Sequence, residues 1–268
     1  MSKPRMFIVS TNADFSLSLY NAAESRKLIE PHSVMFNASE GALDRVMQND
    51  FQYLYFRDPF NEDDDSRKIA RANTSKLLRR YRSAYMVDGI KNFDDLLFED
   101  KWKQYRALSK FMPPTKILTV LREPDRNSFI KRRISARSKG IIFTREDYPV
   151  NAKPQEYLIQ QKLQVEKEYR AYMVGGRLVS PMAIKSSKTP QQNVRLIGLQ
   201  KEIPQAILKI CQAVYDKTQY DLCGLDVAET KDGFFLLEVN RSCQFKKYWQ
   251  LSGQNLAASL SKHLLALH

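Results

Sequence analysis

The residues best equipped for chemistry fall in one stretch, GLDVAETKDGFFLLEVN from Gly224 to Asn240. Thr230-Lys231-Asp232-Gly233 is a turn signal between two apolar runs, so the stretch reads as a hairpin of strands at 223–229 and 234–240. Side chains alternate across a strand, so Glu238 and Asn240 share a face, and pairing around the turn brings Asp226 to it. Three oxygen donors then converge beside an apolar sheet. Hard Mg²⁺ takes such ligands, with phosphate oxygens and water completing the shell. Two ions bridging the phosphates of ATP would offset the charge that develops during phosphoryl transfer. The competing reading is a hairpin whose polar residues face solvent. Phe234, Phe235, Leu236, Leu237 and Val239 make the second strand a buried one. There an unpaired Glu and Asn are costly unless something binds them.

Other chemistries are disfavoured. The three histidines, His32, His263 and His268, fall in an expected loop and in the C-terminal tail, which leaves no histidine triad or histidine metal site. The three cysteines, Cys211, Cys223 and Cys243, are odd in number and widely spaced, against a disulfide framework or a zinc site. Free thiols suit a reducing cytosol, so a cytoplasmic location is expected. No apolar run has the length of a membrane span. The net charge of +13 favours acidic partners, among them nucleic acid, nucleotide phosphates and carboxylate-rich substrates.

The elements that must position the hairpin follow from the pattern of apolar runs. Short runs at 6–10, 33–37 and 52–56 read as buried strands, with a helix at 42–49 between the last two and a strand at 85–87. Together they suggest a small α/β layer with a parallel sheet. The basic stretch 67–82 reads as a solvated helix with acidic residues at its N-terminus. A helix at 98–110, broken by Pro113 and Pro114, follows a boundary near residue 95. Strands are expected at 116–121, 128–131, 141–144, 157–161, 168–174 and 177–185, the last two joined at Gly175-Gly176. An amphipathic helix at 204–218 precedes the hairpin, and a helix at 255–267 closes the chain.

The order Asp221-Leu222-Cys223-Gly224-Leu225-Asp226-Val227, then Asp232-Gly233 and Glu238-Val239-Asn240-Arg241-Ser242, resembles the metal-binding end of ATP-grasp enzymes. It is most similar to the branch of the RimK-type ribosomal-protein glutamate ligase and bacterial glutathione synthetase, over residues 85 to 265. The resemblance implies an α/β (α+β) ATP-grasp fold. Residues 1–95 would form a small pre-ATP-grasp domain. Residues 96–268 would form the ATP-grasp domain, with 96–163 as a smaller lobe carrying the phosphate loop and 164–268 as a larger lobe carrying the metal site.

It also implies roles. Asp226, Glu238 and Asn240 would hold two Mg²⁺ ions, with Mn²⁺ as an alternative. Lys101, after Asp100 at a helix start, and Lys131, at the end of the 128–131 strand, match lysines that reach ATP phosphates. The loop 132–140 (RRISARSKG) matches a glycine- and serine-rich loop that folds over them, with Ser135, Ser138 and Gly140 retained and Arg133, Ala136, Arg137 and Lys139 replacing small residues. The backbone at Gln161, Lys162 and Leu163 would pair with the adenine edge, and Glu168 with a ribose hydroxyl. Arg170, Lys185 and Asn193 would face the reacting groups. The implied reaction is attack of a carboxylate on the γ-phosphate of ATP to give an acylphosphate, then attack of an amine to give an amide. No step needs a histidine base.

The departures concern the substrate. Where the family continues Ser-x-Pro-Gly, this chain has Arg241-Ser242-Cys243-Gln244-Phe245. An acidic amino acid, peptide or protein tail is the expected substrate, and a homo-oligomer stays open. The rival readings are a nucleotide-binding ATP-grasp fold without ligase activity and an RNA-binding protein using 67–82 and 132–139. Salt-dependent RNA binding would mark the latter.

Overall fold

A computed structural model of the chain describes residues 3–57, 64–135, 140–186 and 195–267. The first sheet comprises β1 (Arg5–Ser10), β2 (Glu30–Met35), β3 (Tyr53–Phe56) and β4 (Tyr85–Met86), interleaved with α1 (Ala13–Tyr20), α2 (Ala23–Arg26), α3 (Glu40–Met47) and α4 (Asp64–Arg80). Its order is β2-β1-β3-β4, with every pairing parallel. The apolar runs at β1 and β3 are the two central strands, covered on both faces, as parallel sheets require. β2 lies at the edge, which tolerates Pro31. It begins earlier than the expected 33–37 because Glu30 is in register with Arg5 and Val34 with Val9. It also carries His32, expected in a loop.

A 3₁₀ turn (Phe93–Glu99) leads to α5 (Lys101–Leu108). The Asp100 side chain accepts the Trp102 N–H at 2.9 Å, so the helix starts at Lys101 rather than 98. The second sheet is antiparallel: β5 (Thr115–Ile117), β6 (Ser128–Arg132), β7 (Ile141–Ile142) and β8 (Tyr157–Gln161), ordered β5-β8-β6-β7. The strands expected at 116–121 and 141–144 are both shorter.

The third sheet contains β9 (Lys167–Val174), β10 (Arg177–Lys185) and β11 (Leu196–Gln200), then, after α6 (Gln205–Thr218), β12 (Leu222–Thr230) and β13 (Gly233–Asn240). It is antiparallel with order β11-β10-β9-β12-β13. Two helices finish the fold, α7 (Lys246–Ser252) and α8 (Leu256–Leu265). Of these elements α1, α2, β11 and α7 are additions to the sequence-based expectation.

Packing explains the alternation along the third sheet. Tyr169, Ala171, Met173, Cys223, Leu225, Val227 and Val239 bury one face against Ile207, Ile210, Cys211 and Val214 of α6. On the other face Tyr172, Ala183 and Leu222 join a core shared with Tyr248 and Leu256, Leu260 and Leu264 of the last two helices, and with Met6, Ile8, Tyr53 and Tyr55 of the first sheet. The hairpin between β9 and β10 is fitted to this arrangement. Gly175 has φ +54, and a Cβ there would lie 2.4 Å from the His263 ring.

Four basic side chains of α4 are ion-paired. In α4 and beside it, Lys68 pairs with Asp65 (3.0 Å), Arg71 with Asp94 (2.9 Å), Lys76 with Asp44 (2.8 Å) and Arg80 with Asp50 (3.2 Å). Among the described residues no helix is long and apolar enough to cross a membrane.

Candidate active site

A group of charged residues of the third sheet lies on the face away from α6. Asp226 is in register with Arg170 on one side and Glu238 on the other, Glu168 with Lys185, and Gly224 with Asn240. Directly paired residues share a face, so β9, β10, β12 and β13 present six polar side chains together: Glu168, Arg170, Lys185, Asp226, Glu238 and Asn240.

Arg170 grips Asp226 with two bonds, Nε to Oδ1 at 2.5 Å and Nη2 to Oδ2 at 2.8 Å. Lys185 Nζ lies 3.2 Å from Asp226 Oδ1 and also bonds the Glu168 carboxylate. Burial alone would raise the Asp226 carboxyl; the two cations outweigh it and hold the group below the usual carboxylate range. Burial opposes the charge on Arg170, but the Asp226 carboxylate prevails and raises its pKa. Gly224 makes room for this pair, since a Cβ there would stand 2.8 Å from Cys243 Cβ and 3.2 Å from Arg170 Cδ.

The facing wall comes from α5 and the second sheet. Lys101 Nζ is 3.2 Å from Glu238 Oε1 and donates to the Ser135 carbonyl at 2.7 Å and to its hydroxyl at 3.3 Å. Lys131, buried, donates to Gln160 Oε1 at 2.9 Å. Burial and the nearby Lys101 lower its pKa to about 8, against the pull of Glu238. One turn beyond Lys101, the Gln104 side chain both donates to the Val239 carbonyl and accepts its N–H, each at 2.8 Å. Sequence reasoning missed Gln104; its spacing of three from Lys101 puts both on one helix face.

The remaining expectations divide. Glu168 accepts from Lys185 through Oε1. The N–H groups of Gln161 and Lys162 donate to the carbonyls of Pro114 and Asn127. The Leu163 N–H has no backbone partner among the described residues. Of the loop cations, Arg133 is committed to Asp100 (2.6 Å) and the Gln155 carbonyl (3.0 Å), and Arg132 to Glu156 (3.4 Å), so neither is a free phosphate clamp. Gly140 closes the loop in the left-handed region at φ +78, its carbonyl accepting from the Arg132 N–H at 2.7 Å. Ser138, Arg137, Lys139 and Asn193 lie outside the described residues. Burial pushes the Cys243 thiol up to about 11, which fits an inert packing residue.

Among the described residues, no three His, Cys, Asp or Glu side chains cluster as a metal centre; the candidate set is two carboxylates and an amide. The Asn240 Nδ2 atom is buried with no hydrogen-bond partner among the described residues. Asp226 keeps an acceptor position on Oδ2, which takes a single bond from Arg170. This donor set suits a hard cation bridged to an oxygen-rich ligand that accepts from Asn240.

Comparison with known proteins adds a likeness over part of the chain. A model of the RimK-like ATP-grasp domain matches residues 149–264. A search of curated proteins by sequence finds no match. Among solved structures, the ATP-grasp ligase PsnB complexed with minimal precursor has a TM-score of 0.68 at 14% identity, covering 100% of this chain and 100% of that one. Macrocyclase MdnB from Microcystis aeruginosa MRC has a TM-score of 0.64 at 13% identity, covering 98% and 99%. N5-carboxyaminoimidazole ribonucleotide synthetase from Thermus thermophilus has a TM-score of 0.62 at 11% identity, covering 97% and 77%. At these identities the likeness is one of fold.

Proposed function

We propose that the chain, whose residues 149–264 match the RimK-like ATP-grasp domain, is an ATP-dependent carboxylate–amine ligase acting through an acylphosphate. The observation that carries this reading is the paired wall: six polar side chains from four strands facing Lys101 and Lys131.

In this reading Lys101 and Lys131 neutralise the phosphates of ATP, and Lys185 holds Asp226 and Glu168 in place. Lysine suits the first task as a flexible point charge. Burial disfavours the charged form of Lys131, and an arriving phosphate would offset that cost. Asp226, Glu238 and Asn240 would hold magnesium, which when bound shields the phosphate charge during transfer. Arg170 has two N–H groups on Asp226, and its others would meet the oxygen of the acylphosphate and of the tetrahedral species that follows. The oriented Asp226 carboxylate keeps that guanidinium from swinging. The Leu163 N–H is the hinge donor for adenine.

An acidic peptide is the proposed substrate. Within residues 96–163 basic side chains outnumber acidic ones by about two to one, which draws anions to this wall. PsnB is seen with a precursor peptide and, in another complex, with a minimal precursor, Mg and ADP. Two Mg²⁺ ions and a cytoplasmic setting complete the proposal.

The test is ADP and phosphate release from Mg-ATP with pooled amino acids and acidic peptides, read beside product mass. Release that depends on one pool, with a mass equal to two components less water, is the expected result. Absence of both release and Mg-ATP stabilisation would remove the ligase reading.

A further inference from the structure

Asp88 follows β4 with φ 65 and ψ 16, a left-handed backbone that non-glycine residues rarely take. Its carboxylate is fully buried and accepts the N–H groups of Asp221 at 2.9 Å and Leu222 at 3.2 Å, at the start of β12. Asp221 returns the bond, its Oδ2 accepting the Asp88 N–H at 2.7 Å. The two aspartates thus cap each other's backbone across the boundary between the first and third sheets.

The same Asp88 carboxylate meets Arg241 Nη1 at 3.3 Å. Arg241 directly follows Asn240, at the end of β13, and is itself buried. Its guanidinium also donates to the carbonyls of Phe56 and Arg57 at the end of β3. Arg57 reciprocates with a bond to the Cys243 carbonyl at 2.9 Å. Here the departure from Ser-x-Pro-Gly acquires a physical account: the first residue of the changed segment ties β13 to the first sheet.

We infer that Asp88 and Arg241 are positioning residues for the proposed ligase site, one buried aspartate fixing both strands that carry Asp226, Glu238 and Asn240. Asp88 holds β12 at its start, and through Arg241 it holds β13 at its end. A well-packed apolar pair could match a buried ion pair in stability. It could not tie two backbones to a single point, which is what a carboxylate with several acceptor positions does. The inference rests on the ligase reading for its catalytic half and on the contacts above for its anchoring half.

The test uses the full chain as wild type and as Asp88→Asn, Arg241→Met and the double variant, which leaves no lone buried charge. Amide hydrogen exchange reads the anchoring. Exchange at 224–227 and 236–240 is expected to accelerate about tenfold or more, with α6 as in wild type. Phosphate release reads the catalytic half. The kcat is expected to fall about tenfold or more, since a misplacement of about 1 Å can cost far more, while KM for ATP stays within about twofold. Wild-type exchange in the folded double variant would overturn the anchoring, whether or not ATP is consumed. Wild-type kcat alongside accelerated exchange would overturn the catalytic half. No turnover by the unmodified chain with any substrate pool would overturn the catalytic half, and with no Mg-ATP stabilisation either it would overturn the ligase reading itself, while the exchange result still decides the anchoring.

Discussion

The third and second sheets face the same candidate site but are held very differently. The five-stranded sheet is packed on both sides, with α6 on one face and the last helices and first sheet on the other. The second sheet rests on a small cluster, Leu118, Ile130, Ile142 and Tyr157, and the segments between its strands show Val120, Phe143 and Val150 to solvent. The first carries ion-paired groups in fixed register; the second brings Lys131 and the loop that follows it. Apolar contacts set local stability, so one wall is firm and the other yields first. The pairing suits a site whose charges are preorganised on the firm wall and whose closure is left to the thin one.

The sharpest break of that comparison is at the firm wall. Glu238→Gln keeps the shape of the strand and removes the charge that meets Lys101. We expect phosphate release to fall by on the order of 10²–10³-fold, with the melting temperature nearly unchanged. Wild-type rates would take Glu238 out of the metal set.

Next comes a matched pair of core truncations. Leu225→Ala, on β12, is expected to cost about 2–5 kcal/mol in global stability by denaturant unfolding. Ile130→Ala is expected to act locally, speeding hydrogen exchange across 115–161 while moving the global midpoint less. Equal global effects would erase the distinction between the walls.

A comparable effect comes from pH at the anchor of the firm wall. Burial raises the Asp88 carboxyl to about 7, with Arg241 pulling the other way. The unfolded carboxyl titrates near ~3.9. Between these values the folded chain holds a proton that the unfolded chain has lost. Stability from this group therefore declines as pH rises across the window and levels off above about 7. Melting curves of wild type minus Asp88→Asn from pH 4 to 8 should show that slope; a flat difference would mean that Asp88 does not titrate there. The smallest effect is expected from the basic segment 132–140. Arg137→Ala with Lys139→Ala should raise KM for ATP or the acidic substrate by about threefold to tenfold, and no change in either would make these residues bystanders.

Much of the firm wall was legible in the chain. The turn at Thr230 to Gly233 sets the hairpin, and alternation then puts Glu238 and Asn240 on one face opposite Asp226. The parallel strands at β1 and β3 were readable as unbroken apolar runs. What stayed hidden depends on partners far away in sequence. Nothing local to Arg241 says that its guanidinium lies buried against Phe56, Arg57 and Asp88. Nothing local to Arg133 says that it is bound to Asp100. The short helices α1 and α7 and the edge strand β11, interrupted by Gly198, have too little periodicity to announce themselves.

The ion pairs along α4 have a thermodynamic consequence. Binding of a polyanion gains entropy when cations on the protein displace condensed counterions from phosphates. Lys68, Arg71, Lys76 and Arg80 already hold Asp65, Asp94, Asp44 and Asp50. Each phosphate contact there must first release a carboxylate, which then needs a counterion of its own. A helix that looks suited to nucleic acid by composition is already paired at these four side chains, and titration with a nucleic-acid duplex over a range of salt should show them adding little to the slope.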